Sequence, residues 1–277
     1  MGNPPEAFFT PDGAELLPSR HAVGPWGADT MNGQMIGGVV ARSLELDHGD
    51  PAFLPARLTV DMLRPTALAP VTVTTERIRE GRRIRIADAV ISQNGKMVAR
   101  ASAVFLRRSK QPPGEVWTPD EPLPAAPWAG PSAEHLTFFP YSEDRGYGDH
   151  PDISVWTGTS RKGAWFRESR PLVEGEELTP FVRAALAGDV TSPLTHWGTE
   201  ALQFINVDYT LALSRLPSGH DIGMRASTHL SAEGVATGSA TFFDRLGPIG
   251  TCTVLALANP TDAFHIPPPP GPGAPPG

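Results

Sequence analysis

Two polar residues in the second half of the chain carry side chains that can activate a water molecule. Asp189 follows an apolar segment at residues 181–186 and Gly188, and Asn206 lies in a strand-like run that starts at Phe204. A carboxylate can take a proton from water, and an amide can both donate and accept hydrogen bonds. A solvated loop carboxylate and a strand-edge amide bonded to a loop are the alternative interpretations, and these residues alone leave them open.

The helix that should position Asp189 has clear start signals. Thr179 is a favoured N-cap residue, and Pro180 suits the first helical position. Gly188 predicts the end of this helix, because glycine readily adopts the left-handed conformation that follows a last turn. Asp189 would then lie just beyond the helix end, where the negative end of the helix dipole should raise the pKa of its carboxyl. Something other than stability would have to keep a carboxylate there.

The strand after this helix should bring Asn206 towards Asp189. Strict alternation puts Asn206, Asp208 and Thr210 on one face of the strand, so Asn206 can point where Asp189 points and its amide can hold a water. Asp208 is interpreted instead as a fold-forming partner of an arginine or of the backbone. The same interpretation applies to Asp61, which has the matching place in the first half of the chain.

Composition excludes several classes of function. The chain has 277 residues and a formal net charge of -7, which argues against nucleic acid or an anionic membrane as the main partner. Cys252 is the single cysteine, so no internal disulfide and no zinc site with two cysteine ligands can form; its apolar neighbours indicate a buried thiol. The sequence shows no signal peptide, membrane-spanning run, serine-hydrolase elbow, phosphate loop or dinucleotide fingerprint, so a cytoplasmic protein is expected.

The chain divides at its proline-rich segments. We predict a first repeat at residues 1–110, a proline-rich linker and insertion at 111–150, a second repeat at 151–260, and a disordered proline-rich tail at 261–277. Each repeat consists of one helix followed by four strand-like runs, in the same order and with similar spacing. Because one such set is too small to cover both faces of a sheet, the two copies should pair into one structure.

Three smaller signals support this division. The helix predicted at residues 33–46 contains Gly37 and Gly38, which would weaken it unless its backbone lies close against another surface. Asn94 and Gly95 predict a tight hairpin in the first repeat. A Val-Asp pair also recurs in the first strand after each helix.

Three runs in the first repeat resemble the type II bacterial acyl-CoA thioesterases and related thioesterase-like proteins: NGQMIGGVVA (32–41), LTVDMLRP (58–65) and SQNGK (92–96). The resemblance covers most of the chain, from about His21 to Leu257. It implies an α+β double hotdog fold, in which two tandem hotdog repeats each wrap an antiparallel sheet around a central helix.

The resemblance also implies a site. In that family, an Asp after the second-repeat helix, a polar residue in the following strand and a Gln in the last strand hold a water for thioester hydrolysis. The Asp falls on Asp189 and the polar residue on Asn206, whereas the Gln position falls at or next to Leu255, beside Val254, with no Gln nearby. This departure puts the activity in doubt and leaves open a protein that binds an acyl or other small ligand with little turnover.

Other expectations concern substrate binding. Backbone N–H groups around Gly33 and Gln34, at the start of the first helix, could bind the oxyanion, although Gln34 could also be an ordinary first-turn residue. Several arginines of the first repeat could bind coenzyme A phosphates, but a solvated strand face is favoured; they are Arg77, Arg79, Arg82, Arg83 and Arg85.

The resemblance implies an acyl-CoA or acyl-carrier-protein thioester as substrate, no cofactor or metal, and a homodimer. An enoyl-CoA hydratase is the less favoured enzymatic alternative. In that case, Asp189 would have to act with His196, which is well separated from it in the sequence.

Overall fold

The computed structural model describes residues 6–118, 123–125, 136–148 and 152–265. The elements of the first half are β1 (Phe9–Asp12), β2 (Glu15–Pro18), β3 (Val23–Gly24), β4 (Gly27–Met31), α1 (Gly33–His48), β5 (Phe53–Met62), β6 (Val71–Arg79), β7 (Ile84–Gln93) and β8 (Lys96–Arg107). Those of the second half are β9 (Leu136–Ser142), β10 (Gly146–Tyr147), β11 (Lys162–Glu168), α2 (Pro180–His196), β12 (Phe204–Asn206), β13 (Asp208–Leu213), β14 (Ile222–Ala232), β15 (Val235–Asp244) and β16 (Gly247–Ala258). Short 3₁₀ turns lie at Arg20–Ala22, Ile153–Trp156 and Pro260–Asp262.

Fourteen of these strands form one antiparallel sheet that runs through both halves of the described chain. The order is β1-β2-β6-β7-β8-β5-β13-β16-β15-β14-β11-β9-β10, and β12 also pairs with β16. The halves meet where β5 pairs with β13, with Thr59 opposite Thr210 and Asp61 opposite Asp208. Equivalent strands of the two repeats therefore lie side by side at the centre, and the predicted α+β fold of two tandem helix-and-sheet repeats is confirmed.

The two helices pack against each other in opposite directions on the inner face of this sheet. Gly33, at the start of α1, lies against Asp189 in the second half of α2, and the Thr179 hydroxyl at the start of α2 donates to Glu45 Oε2 at 2.5 Å near the end of α1. A Cβ on Gly37 would lie 2.0 Å from the hydroxyl oxygen of Tyr209, and one on Gly38 would lie 2.7 Å from Leu186 Cδ2. The predicted close approach at this glycine pair is confirmed.

The hairpin predicted at Asn94 and Gly95 is also present. Both residues have positive φ angles, 49° and 72°, and they join Gln93 of β7 to its partner Lys96 of β8. This is the backbone twist that a two-residue turn requires to keep its strands paired.

The predicted end of the second helix is wrong. α2 does not stop at Gly188 but continues to His196, so Asp189 lies inside the helix rather than beyond it. Gly188 has a different role: a Cβ there would lie 2.6 Å from Cε2 of the Tyr209 ring. The glycine is needed because an aromatic ring packs directly on the helix backbone, and the residues that follow it are held helical by burial.

The predicted alternation along the following strand is also wrong. Asn206 pairs with Ala256 and Thr210 with Thr253, so four residue steps on one strand face three on the other. The extra residue is Val207, which is exposed between β12 and β13. A bulge of this kind shifts the side-chain alternation by one position, and as a result Asn206 and the buried Tyr209 both face α2.

Parts of the predicted linker and tail are ordered. β9 lies within residues 111–150 and pairs with β11, and Phe264 forms two backbone hydrogen bonds with Leu202, at 3.0 and 3.1 Å. Residues 266–277, the remainder of the predicted tail, lie outside the described chain. None of the helices in the described part is both long and apolar enough to cross a membrane.

Candidate active site

The Asp189 carboxylate and the Asn206 amide meet in the interior between α2 and the sheet. Asn206 Nδ2 donates a hydrogen bond to Asp189 Oδ1 at 2.9 Å. Both residues are only partly exposed, so they retain some contact with solvent while their surroundings are protein. The pair that the sequence predicted is therefore in contact, although α2 and the bulge at Val207 bring it together in a different way.

The environment of Asp189 makes its carboxylate a better proton acceptor. Burial raises the pKa of Asp189, and the hydrogen bond from Asn206 counteracts part of that effect. The direction agrees with the expectation from the sequence, but the cause is desolvation rather than the end of a helix. A carboxylate whose pKa is raised holds a proton more readily and remains ionised above that pKa, as a general base must.

The start of α1 lies directly against this carboxylate. A Cβ on Gly33 would be 2.6 Å from Asp189 Oδ1 and 2.7 Å from Oδ2, so only glycine fits this position beside the carboxylate. Asn32 caps the helix, and its Oδ1 accepts from the Gln34 backbone N–H at 3.0 Å. The cap uses the Gln34 donor, and the N–H of Gly33, the first of the helix, lacks an intrahelical partner. Of the two predicted oxyanion donors, the Gln34 N–H is therefore already occupied by the cap.

The residue that faces the site from β16 is Ala256, not Leu255. Leu255 is 48% exposed, whereas Val254 and Ala256 on either side of it are buried on the helix side of the sheet. Ala256 stands directly opposite Asn206 in the ladder. The sequence put the glutamine position at or next to Leu255 and did not single out Ala256, because the choice depends on the register between β12 and β16.

The other polar residues near the site have structural roles. Asp208 accepts from the Leu255 backbone N–H at 2.8 Å, which satisfies the ladder at the bulge, and Asp61 pairs with Arg100 at 2.6 Å. Both residues therefore act as fold-forming partners, as predicted. Cys252 is buried, and burial raises the pKa of its thiol to about 12, which keeps it protonated and unreactive.

The first repeat has a helix position equivalent to that of Asp189, but it holds an arginine that already has an acidic partner. The first residues of the two helices, Gly33 and Pro180, are 147 positions apart, and the same spacing relates Asp189 to Arg42. Arg42 forms a two-point ion pair with Glu176. Of these two related positions, 189 holds a carboxylate, whereas 42 holds an arginine that is already ion-paired.

Two of the first-repeat arginines are held by acidic partners. Arg77 pairs with Glu80 at 2.9 Å, and Arg85 pairs with Asp50 at 2.8 Å and with Glu80 at 2.5 Å. The Arg85 guanidinium also stacks 4.0 Å above the Phe53 ring. These contacts favour the solvated, ion-paired face over a phosphate site.

Comparisons with known structures agree with this architecture. The tesB protein of Mycobacterium avium subspecies paratuberculosis is 18% identical, with a TM-score of 0.62 over 89% of this chain and 93% of that chain. An acyl-CoA thioesterase II from Mycobacterium marinum is 19% identical, with a TM-score of 0.57 over 82% and 90%. A protein with a hotdog fold from Alicyclobacillus acidocaldarius is 17% identical, with a TM-score of 0.62 over 91% and 95%.

Family models cover both repeats. Residues 22–106 match the acyl-CoA thioesterase N-terminal domain, and residues 113–258 match the acyl-CoA thioesterase C-terminal domain. A search of curated proteins finds no match. Because the two matched segments together cover most of the sequence, this chain belongs to the acyl-CoA thioesterase family and has its double hotdog fold.

Proposed function

We propose that the protein hydrolyses an acyl-CoA thioester to a free acid and coenzyme A, with Asp189 activating the attacking water. The observation that carries this proposal is the contact of three groups: the Asp189 carboxylate, the Asn206 amide that donates to it, and the first residue of α1. They supply a proton acceptor, an orienting hydrogen bond and a backbone donor in one partly enclosed place. Membership of the acyl-CoA thioesterase family supplies the substrate class.

The reaction proceeds in two steps without an acyl-enzyme. Asp189 takes a proton from a water as that water attacks the thioester carbonyl, and the Gly33 N–H stabilises the developing oxyanion. Collapse of the tetrahedral intermediate breaks the carbon–sulfur bond and releases the thiolate, which receives the proton from Asp189. Asn206 anchors the carboxylate, and through it the water, in line with the carbonyl.

The direct test is thiol release from a panel of acyl-CoA and acyl-carrier-protein thioesters. We expect thiol release from thioesters of at least one acyl chain length. With enoyl-CoA, we expect no loss of absorbance beyond the loss that accompanies thiol release. Hydration of enoyl-CoA without thiol would instead support the hydratase alternative. The cytoplasm as compartment and a homodimer as assembly are part of the same proposal, and gel filtration with light scattering measures the second.

Removing the Asn206 donor should move the acid limb of the pH–rate profile. In Asn206→Leu the carboxylate loses the hydrogen bond that favours its charged form, so the pKa of Asp189 rises further. Because the base acts when ionised, kcat/KM should then begin to fall at a higher pH on the acid side than in the wild type. Steady-state rates from about pH 4 to pH 9 measure the shift. Asn259→Leu, the same change beyond the end of β16, should leave the pH at which kcat/KM falls unchanged.

A second candidate function is ligand binding without efficient turnover, and Ala256 favours it. Where family members are expected to present a glutamine, this chain presents a methyl group opposite Asn206. One fewer polar group would then hold the water. The hydrolase and the binding protein differ in how they should respond to a glutamine at this position.

If the protein is already an efficient hydrolase, Ala256→Gln should raise kcat/KM by less than about tenfold, which corresponds to ~1.4 kcal/mol in the activation free energy. The reason is that Asn206 already orients the Asp189 carboxylate. Leu255→Gln is the matched control, since it makes the same substitution on the exposed face of the strand. A rise beyond tenfold in Ala256→Gln, absent in the control, would identify a decayed site and support the binding protein.

A further inference from the structure

A pocket of about 550 Å³ lies at the C-terminal end of α2. Five segments form its wall: the loop before β11, the last turn of α2, the loop that follows it, the start of β12 and the middle of β14. Neither Asp189 nor Asn206 lines it. The described residues that do include Arg161 and Lys162 but no Asp or Glu. Arg161 is already ion-paired with Glu143 at 3.7 Å, so Lys162 carries the remaining positive charge of the lining.

Lys162 is a buried cation with spare hydrogen-bonding capacity. It is 7% exposed, and its Nζ donates to the carbonyls of Gly158 at 3.0 Å and Ser160 at 3.2 Å. An ammonium has three N–H donors, so these contacts leave one for a further acceptor. Burial lowers the pKa of Lys162, and the nearby Asp144 counteracts that effect and favours the charged form.

Two histidines form a second polar group in the same pocket. Their Nδ1 atoms are 2.9 Å apart, and the Phe204 ring packs 5.7 Å from the His196 ring and 6.0 Å from the His229 ring. His196 is 4% exposed, and its Nε2 has no partner among the described residues. Burial lowers the pKa of His196 to about 4, so it is neutral at physiological pH. The proposed reaction gives these rings no task.

The pocket is aligned with the candidate active site along two elements. Asp189 and His196 are seven residues apart on α2, hence on one face and about 10 Å apart along the helix axis. Asn206 and Phe204 are two residues apart on β12, hence on one face of that strand. Asp189 and Asn206 therefore lie on the same faces of α2 and β12 as the pocket residues His196 and Phe204.

An acyl group whose carbonyl lies at Asp189 would reach this pocket with its far end. An extended chain advances about 1.2–1.3 Å per bond, so a span of about 10 Å needs roughly eight or nine carbons. A methyl end placed there would cover the third N–H of Lys162 and Nε2 of His196 without pairing them, which is unfavourable for buried polar groups. A carboxylate at that end would instead accept charge-assisted hydrogen bonds.

We propose that this pocket selects medium-length ω-carboxyacyl thioesters, with the distal carboxylate bound by Lys162 and by Nε2 of His196, the ring that His229 holds through Nδ1. The inference rests on the proposed function, because it takes the reacting carbonyl to lie at Asp189. It narrows the substrate from acyl-CoA in general to the monothioesters of dicarboxylic acids.

The test compares two substrates that differ only at the far end: octanoyl-CoA and the mono-CoA thioester of octanedioic acid. Their carrier is identical, so contacts with coenzyme A cancel in the comparison. The wild type should show a kcat/KM at least about tenfold higher for the carboxylated substrate, as expected for hydrogen bonds to a charged group. Lys162→Met should bring the ratio of the two values to about one.

His229→Leu provides a second variant, because His229 is exposed and the substitution does not disturb the core. It should lower the ratio, whereas His220→Leu, the same change at an exposed position outside the pocket, should leave it unchanged. A Lys162→Met variant that loses activity equally on both substrates would show that the pocket binds the carrier or only supports the fold, and would overturn the proposal.

Binding separates this inference from the reaction itself. Calorimetry with the two non-hydrolysable thioether analogues measures the same preference in the absence of turnover. Tighter binding of the carboxylated analogue with no thiol release from either substrate would contradict the hydrolase and keep the pocket assignment. Equal kcat/KM values and equal Kd values for the two ligands, with hydrolysis intact, would overturn the pocket assignment and keep the hydrolase.

Discussion

Replacing Asp189 with Asn should reduce kcat/KM for thiol release by about 10²- to 10⁴-fold, the range that positioned general bases contribute. The substitution keeps the shape of the side chain and still lets Asn206 donate to its oxygen, but it removes the proton acceptor. Release of thiol can be followed with a chromogenic thiol reagent. Asp12→Asn, the same change at an exposed position, should retain the wild-type rate. Equal rates in wild type and Asp189→Asn would end the catalytic assignment.

The same variant should be more stable than the wild type at neutral pH. The pKa of Asp189 is raised in the folded protein, so ionising this carboxylate costs stability as pH rises through that pKa, and the cost is absent below the ordinary pKa. An amide avoids it. We expect Tm to rise by about 2–4 °C, equivalent to about 1 kcal/mol, with the gain shrinking towards zero in acid. A gain that persists unchanged at low pH would point to packing rather than to the charge.

Adding a single methyl group at Gly33 should have the second largest effect. In Gly33→Ala the new Cβ would lie 2.6 Å from Asp189 Oδ1, so the carboxylate or the start of α1 must move. Displacing a catalytic group by a fraction of an ångström to 1 Å can cost about 10²-fold in rate. We therefore expect kcat/KM to fall by about that factor, as measured by thiol release. A variant with the wild-type rate would show that the two groups are not held together as described.

A double-mutant cycle distinguishes this clash from a general effect of alanine at a helix start. Alanine favours a helix over glycine by about 1 kcal/mol, so Gly33→Ala should stabilise the fold wherever there is space for the methyl group. Asp189→Ala provides that space. The free energies of unfolding of the two single variants and the double variant should therefore show a coupling of about 1–3 kcal/mol. Additive values would contradict direct contact.

The start of α2 and the hairpin of the first repeat were predictable because both depend on local residue types. Thr179 and Pro180 set the helix start through capping and a fixed φ angle, and the hairpin at Asn94 and Gly95 follows from the turn that such residues favour. The glycine pair in α1 was also interpretable, because two glycines in a helix reduce its stability unless another surface approaches. In each of these cases a few neighbouring residues contain the whole signal.

The end of α2 and the bulge at Val207 were not predictable, because each depends on residues distant in sequence. Gly188 is compatible with either a helix end or a close packing contact, and the Tyr209 ring decides between them. In the sequence, Val207 fits a regular alternation of polar and apolar side chains. Only the pairing of β12 and β13 with β16 shows that it is an extra residue. The same pairing is what identifies Ala256 as the residue opposite Asn206.

The sequence predicted which residues form the candidate site but not how they come into contact. Asp189 and Asn206 were identified from residue types and from the family resemblance, yet their contact depends on a longer helix and on a bulge. The pocket at His196 and His229 could not be predicted from the sequence, since the two residues are 33 positions apart and come from a helix end and a strand. Such clusters become visible only when tertiary packing is known.

The central claim is that Asp189 activates water without forming a covalent intermediate, and a rapid-quench single turnover tests it most directly. With enzyme in excess over acyl-CoA, thiol and free acid are quantified in the same samples, and the intact mass of the protein is measured by mass spectrometry. The account predicts that thiol and acid appear with the same rate constant and that the protein mass never changes. Thiol released ahead of acid, together with an acyl group on Asp189, would contradict it.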